Sequence, residues 1–419
     1  MKQSIGLVIL QVFGIILGIV SVFLVAGSLP AEEYALVGVY HVISTIILVF
    51  SNTGFETYAI RNVLDWREKG NTAKIKLIVT QSITYRTLVA IVAFIPTIGY
   101  AAFVSLNKFD GNNFWLFFLM GLTSISKATN DATVLILKSF NKYFLAALVI
   151  YSINSFGKLL ALLLFTKYGF TVYIYTVMLT PLLVTIPVIF LLRKYISFQG
   201  VFKIYNLKNG FIESKSFATS SYVSYAFNFL DQFLVSIFLS AEILGSFTVA
   251  KNILSIARTF VENFFDPMIQ SLVSLKDSIK NFKIKLNKIF KIRNVLLVVS
   301  VIFIPFLLFF LDKALVLLRI DHYPYLNNYI ILIYLSIIAL IASKVKYTYI
   351  SLFFPQESYL KIKVINALSA LVFFIIVASI SPKLLFLNTL LTNIVMFIYS
   401  EKYFNNKKNP FYNEVCNKR

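Results

Sequence analysis

A stretch that recurs half a chain later constrains this sequence most. Residues 23–55, FLVAGSLPAEEYALVGVYHVISTIILVFSNTGF, align without a gap on residues 233–265, FLVSIFLSAEILGSFTVAKNILSIARTFVENFF, in a chain of 419. Phe23/Phe233, Leu24/Leu234, Val25/Val235, Leu29/Leu239, Ala31/Ala241, Glu32/Glu242, Val39/Val249, Ile43/Ile253, Phe50/Phe260 and Phe55/Phe265 are identical pairs. The next residue is an acid in both copies, Glu56 and Asp266. Shared apolar composition explains part of the match, but the run FLV-x3-L-x-AE also aligns small and acidic positions. Each copy is apolar, then a short polar elbow with an acid, then apolar again. That is the pattern of two membrane helices joined at the surface. A repeat at half length predicts two similar halves with a site between them.

Composition supports a membrane setting. The chain is 58% apolar and 14% charged, against about 25% charged in ordinary globular chains. Runs of 17–25 apolar residues span a bilayer. Twelve are found, at about 5–29, 34–60, 75–103, 114–139, 143–166, 171–192, 217–240, 244–270, 292–312, 326–350, 357–380 and 384–404. The first is too long for a signal-peptide core and reads as a retained helix. The expectation is an all-α polytopic membrane protein of about twelve helices. Residues 1–192 form an N-terminal six-helix lobe, 193–216 a cytoplasmic linker, 217–404 a C-terminal six-helix lobe and 405–419 a cytoplasmic tail.

The net charge of +21 is topological. With the N-terminus inside, 27 Lys and Arg fall in cytoplasmic segments and 5, namely Lys108, Lys167, Lys313, Arg319 and Lys383, in outer loops. This asymmetry is the positive-inside pattern, and it argues against a nucleic-acid partner. An even number of helices precedes each repeat copy, so the symmetry axis is expected along the membrane normal. Residues 271–293 place Leu272, Leu275, Ile279, Phe282, Leu286 and Ile289 at spacings of three and four, with lysines mainly off that stripe. They read as an amphipathic helix lying on an anionic leaflet.

Ionisable residues inside spans are costly and face a polar cavity or a partner. The bases are Arg86, Lys127, Lys158, Lys251 and Arg258; the acids are Glu56, Asp131, Asp231, Glu262 and Asp266. Lys251 and Arg258 are seven apart, hence on one helix face. One reading is a cationic cavity for an anionic cargo such as a phosphate or pyrophosphate head group. The other is structural pairing, since Lys127 with Asp131 and Arg258 with Glu262 are each four apart. Arg86 and Lys158 have no acid within four residues on their own helix. Glu56 and Asp266 read as an inner-gate pair or helix-end anchors, and Asp231 as a cross-helix partner or an ion-coupling group. Lys344 and Lys346 read as snorkelling to the cytoplasm. Pro96, Pro181, Pro187, Pro267 and Pro305 are expected to bend or end helices.

The one cysteine, Cys416, and the isolated His41 and His322 give no disulfide framework and no metal set, and no cofactor is expected. No G-x4-G-K-[ST], HExxH or GxSxG motif is present. The outer loops leave no room for a catalytic domain.

The elbow SLPAEEYALVGVY with TGFETYAIRNV, and its echo FLDQFLVSIFLSAEILGSFTVAKNI with FFDPMIQ, resemble the Wzx-type polysaccharide (O-antigen) flippases of the multidrug/oligosaccharidyl-lipid/polysaccharide exporter superfamily. Family members place Gly after the elbow Tyr; here Tyr34 is followed by Ala35, with Gly38 later. The resemblance implies a MATE-like pair of six-helix lobes around a cationic cavity. It implies alternating-access export of an undecaprenyl-pyrophosphate-linked oligosaccharide across the bacterial inner membrane, with a coupling ion, H+ or Na+, and other polysaccharide-assembly proteins as partners. It implies no enzymatic step. A drug or cation antiporter of the same fold would favour acids over bases at the midplane. A membrane-embedded polysaccharide polymerase would carry a larger outer loop. The topology is testable directly. A reporter active only outside the cytoplasm is expected to be active when fused after Arg319 and silent when fused after Lys280.

Overall fold

The computed structural model describes residues 2–405, apart from 198–218, most of 220–228, many positions between 53 and 68, and 110, 112, 141, 273–274, 276–277 and 355. Every expected span contains helix. In chain order these are α1 (Lys2–Ala26), α2 (Ala31–Ser51), α3 (Thr72–Lys108), α4 (Phe114–Ser139), α5 (Tyr143–Tyr151), α6 (Gly157–Tyr168), α7 (Phe170–Leu192), α8 (Phe229–Phe238), α9 (Ala241–Gln270), α10 (Ile279–Leu317), α11 (Leu326–Phe353), α12 (Gln356–Ile380) and α13 (Leu387–Phe404). No strand occurs among the described residues. Six helices there are long and apolar enough to cross a membrane on length and composition alone. The α10 surface is exposed at Val298, Ile302, Phe306 and Phe309, an apolar face of a kind that lipid covers. This is a multi-pass all-α membrane protein.

The chain divides into two compact units. The first comprises Met1–Val25 and Glu32–Leu244, the second Ala26–Ala31 and Gly245–Arg419. In the first, α3 packs on α4, α4 on α7, and α6 on α7. A core of Phe55, Ile78, Val134, Leu137, Ala146 and Leu192 fills the space between helices. Polar side chains bond across it. Ser44 and Ser124 meet at 2.7 Å, Thr87 and Thr129 at 2.9 Å, and Asn130 donates to the Pro181 carbonyl at 2.9 Å. Tyr100 donates to Ser236 at 2.7 Å, docking α8 on α3. Such bonds hold helices together where lipid supplies no hydrophobic contrast.

In the second unit α11 packs on α10 and α13, and α12 on α13. The stripe of 271–293 is corrected here. Leu272, Phe282, Leu286 and Ile289 are buried in a protein core with Phe265, Tyr349 and Phe404. The stripe therefore faces the chain itself and not a leaflet, while Lys280, Lys288 and Lys291 stay exposed. Periodicity fixes that one face is covered but does not say by what. From Ile279 the helix continues without a break through the apolar span to Leu317.

None of the five prolines ends a helix; all lie inside one. The break that does occur has no proline. Ser152–Phe156 form a π-helical turn between α5 and α6, a feature that re-aims the residues after it.

The first repeat's elbow, Ala26–Ala31, is built into the second unit. Tyr323 donates to the carbonyls of Ala26 and Leu29, both at 3.1 Å, and His322 Nε2 lies 2.8 Å from the Leu29 carbonyl. These contacts satisfy carbonyls left over at the end of α1. A Cβ at Gly245 would overlap the Ala31 carbonyl, so the elbow packs against a glycine that leaves room for its backbone. Gly245→Leu is expected to lower the melting temperature of the purified protein by several degrees, because backbone on the far side has no room to yield. Leu at the open position Gly99, where a Cβ meets nothing, is the control expected to melt as wild type.

Candidate functional site

Three of the five expected cations gather in the first unit. Arg86 comes from the middle of α3. It is buried, and its Nη2 donates to the Leu48 carbonyl in the last turn of α2 at 3.3 Å. A cation is favoured there by the helix dipole. Lys127 and Asp131 lie one turn apart on α4, and Lys158 follows the π turn at the start of α6. Lys127 feels the charge of Asp131, Lys158 feels that of Lys127, and Asp131 feels Arg86, Lys127 and Lys138. Cations from three helices thus share one electrostatic neighbourhood with the Asp131 carboxylate, inside a bundle where a charge needs a partner or a polar lining. Lys127 and Lys158 are half-buried and Asp131 is exposed. The small residue beside Lys158 has a packing reason: a Cβ at Gly157 would overlap the Thr180 side chain of α7.

Asp231 opens α8. It is buried, and its Oδ1 accepts the Gln232 N–H at 2.7 Å. Glu56 lies outside the described residues.

The second unit carries its own cluster, on α9, α11 and α12. Lys251 lies 5.7 Å from the Phe247 ring centroid, a cation–π arrangement one turn from its own position. Arg258 Nε donates to Glu262 Oε1 at 3.1 Å. The same carboxylate oxygen lies 3.9 Å from Lys344 Nζ, which in turn sits 3.0 Å from Asp266 Oδ1. Thr348 donates to Asp266 Oδ1 at 3.1 Å. Tyr347 and Tyr359 bond through their hydroxyls and border Glu262. Arg258 is the open end of this chain, with its side chain 45% exposed; Lys344, at 9%, is the closed end.

Lys344 is thus not a snorkelling residue. It is buried between two carboxylates. Lys346 is buried too, paired with Glu401 of α13 beneath the Phe404 ring. Depth in the span alone suggests snorkelling, but depth does not reveal an acid on a neighbouring helix. Thr348, Tyr347 and Tyr359 carried no sequence signal at all, since they join the cluster through helix packing. Lys344→Met is expected to destabilise the protein by about 1–2 kcal/mol, since its acid partners are a third exposed and water relieves part of the loss. Lys344→Met with Asp266→Asn should recover much of it, as read by thermal unfolding in detergent.

A sequence family described as polysaccharide biosynthesis protein matches residues 1–273. No curated protein sequence matches. Among solved structures, the chain is similar to a multidrug resistance MATE family transporter of the MOP superfamily in an inward-facing conformation. The TM-score is 0.71 at 10% identity, over 94% of each chain. It is similar to the lipid II flippase MurJ in an inward closed conformation, with TM-score 0.72 at 14% identity, over 97% of this chain and 87% of that one. A variant of the Vibrio cholerae MATE transporter VcmN gives TM-score 0.62 at 12% identity, over 96% and 97%. At such identities the likeness is one of fold.

Proposed function

The chain belongs to the polysaccharide biosynthesis protein family, and from that premise we propose that it is a flippase for an undecaprenyl-pyrophosphate-linked oligosaccharide, an O-antigen or other surface-polysaccharide unit. It works in the bacterial inner membrane, with both termini in the cytoplasm and two lobes that alternate access. The observation that carries this reading is the set of basic residues on three helices of the first unit, Arg86, Lys127 and Lys158. A pyrophosphate bears charge that answers such groups, and charge-assisted bonds to it are among the strongest that side chains make. Lys251 and Arg258 supply cations on the second unit. Arg86, committed to the Leu48 carbonyl, contributes field more than direct contact. The sugars need no fixed charge, and the lipid tail stays in the bilayer.

The coupling ion, H+ or Na+, falls to the acids beside these cations: Asp131 in the first unit, Glu262 and Asp266 in the second, with Asp231 and Glu56 as further candidates. An antiporter of organic cations is disfavoured by the same observation, since basic residues inside the bundle repel such a cargo.

The reading is tested in a strain lacking the gene. The lipid-linked oligosaccharide is expected to accumulate on the cytoplasmic leaflet and to be restored by the wild-type gene. Lys127→Ala and Lys158→Ala, inserted at normal levels, are expected to lower flipping by about tenfold or more each, the loss that follows one charged hydrogen bond. An unchanged leaflet distribution on deletion, with no second flippase present, sinks the function. Full rescue by both variants sinks the site and leaves the function standing.

A further inference from the structure

The second-unit cluster has a feature that an ordinary i,i+4 ion pair lacks: its shared acid has a second cation in reach. Glu262 Oε1 stands 3.1 Å from the Arg258 guanidinium and 3.9 Å from the Lys344 ammonium. The two cations differ in access. Arg258 is open, and Lys344 is buried behind the acids. Asp266 is held in place by Thr348 as well as by Lys344, so Glu262 is the carboxylate with freedom to shift. Two acids and two bases make the set neutral as it stands.

We propose that Glu262 is a built-in stand-in for the anionic cargo. It occupies Arg258 while the protein is empty and moves fully onto Lys344 when the cargo's phosphate takes Arg258. This rests on the reading of the cargo as a pyrophosphate and adds how its site is kept when no cargo is bound. An unpaired guanidinium in a membrane-embedded site is costly. A carboxylate one helical turn away removes that cost, and a waiting lysine makes its release cheap. The exchange is ionic throughout: no covalent bond breaks, and Glu262 gives up its charged hydrogen bond from Arg258 as it closes the 3.9 Å gap to Lys344 and accepts a new one. The acid also sets specificity. A weakly charged anion competes poorly with Glu262, whereas a pyrophosphate, with several charges, displaces it.

The experiment is a titration of the purified full-length protein in nanodiscs with inorganic pyrophosphate, read by calorimetry. It compares wild type, Glu262→Gln, Arg258→Gln and the double variant, each first checked for an intact thermal transition. Glu262→Gln is expected to bind about two- to fivefold tighter than wild type, the range spanned by partly exposed ion pairs. Arg258→Gln is expected to bind more weakly, and the double variant to match Arg258→Gln, because the gain exists only where Arg258 is there to be freed. Inorganic phosphate should show a larger gain on Glu262→Gln than pyrophosphate does. Wild-type binding that is unchanged or weakened by Glu262→Gln overturns the inference alone, as does a gain that persists without Arg258. Absence of pyrophosphate binding in every form overturns both the inference and the anionic-cargo reading beneath it.

Discussion

An ammonium or guanidinium inside a bilayer must have an answering charge or a polar lining, and that requirement organises both units. Each buried cation meets it in its own way. Arg86 answers a helix C-terminus, Lys344 two carboxylates, and Lys346 one carboxylate beneath an aromatic ring. Lys127 has Asp131 one turn away, and Lys158 feels the charge of Lys127. For Arg86, Lys344 and Lys346 the answering group lies on another helix, so neutralisation is a product of packing.

Packing between helices follows a second rule, since apolar side chains gain little from one another when lipid is the alternative. The structure relies on close approach and on polar bonds. Gly157 admits Thr180, Gly245 admits the Ala31 carbonyl, and Asn130 reaches the carbonyl of Pro181. That last bond lies beside a proline that leaves its own helix one N–H short. The π turn at Ser152–Phe156 belongs with these devices. It lies directly before Gly157 and Lys158, so one local change of winding serves both a tight crossing and the direction of a charged group.

Much of the fold was legible because a bilayer demands long apolar runs, and those runs mark helices with little ambiguity. The span 114–139 matches α4 end to end. The five candidate bases were legible for the same reason: in such runs a charge stands out. What stayed hidden needed knowledge of which helices are neighbours. Lys344 and Asp266 are far apart in sequence, and no spacing rule joins them. The stripe from Leu272 to Ile289 declared a covered face, but lipid and protein make the same demand on a sequence. The π turn left no mark, since Ser152–Phe156 contains neither Pro nor Gly.

The uninterrupted helix Ile279–Leu317 has 39 residues, a length of about 58 Å at 1.5 Å per residue, nearly twice the roughly 30 Å hydrocarbon layer. Its first turns pack into the second unit's core through Phe282, Leu286 and Ile289, while its later turns expose Val298, Ile302 and Phe309. One continuous helix therefore joins a protein-covered segment to an apolar surface of the kind lipid covers, and the same stretch of chain has to satisfy both surroundings.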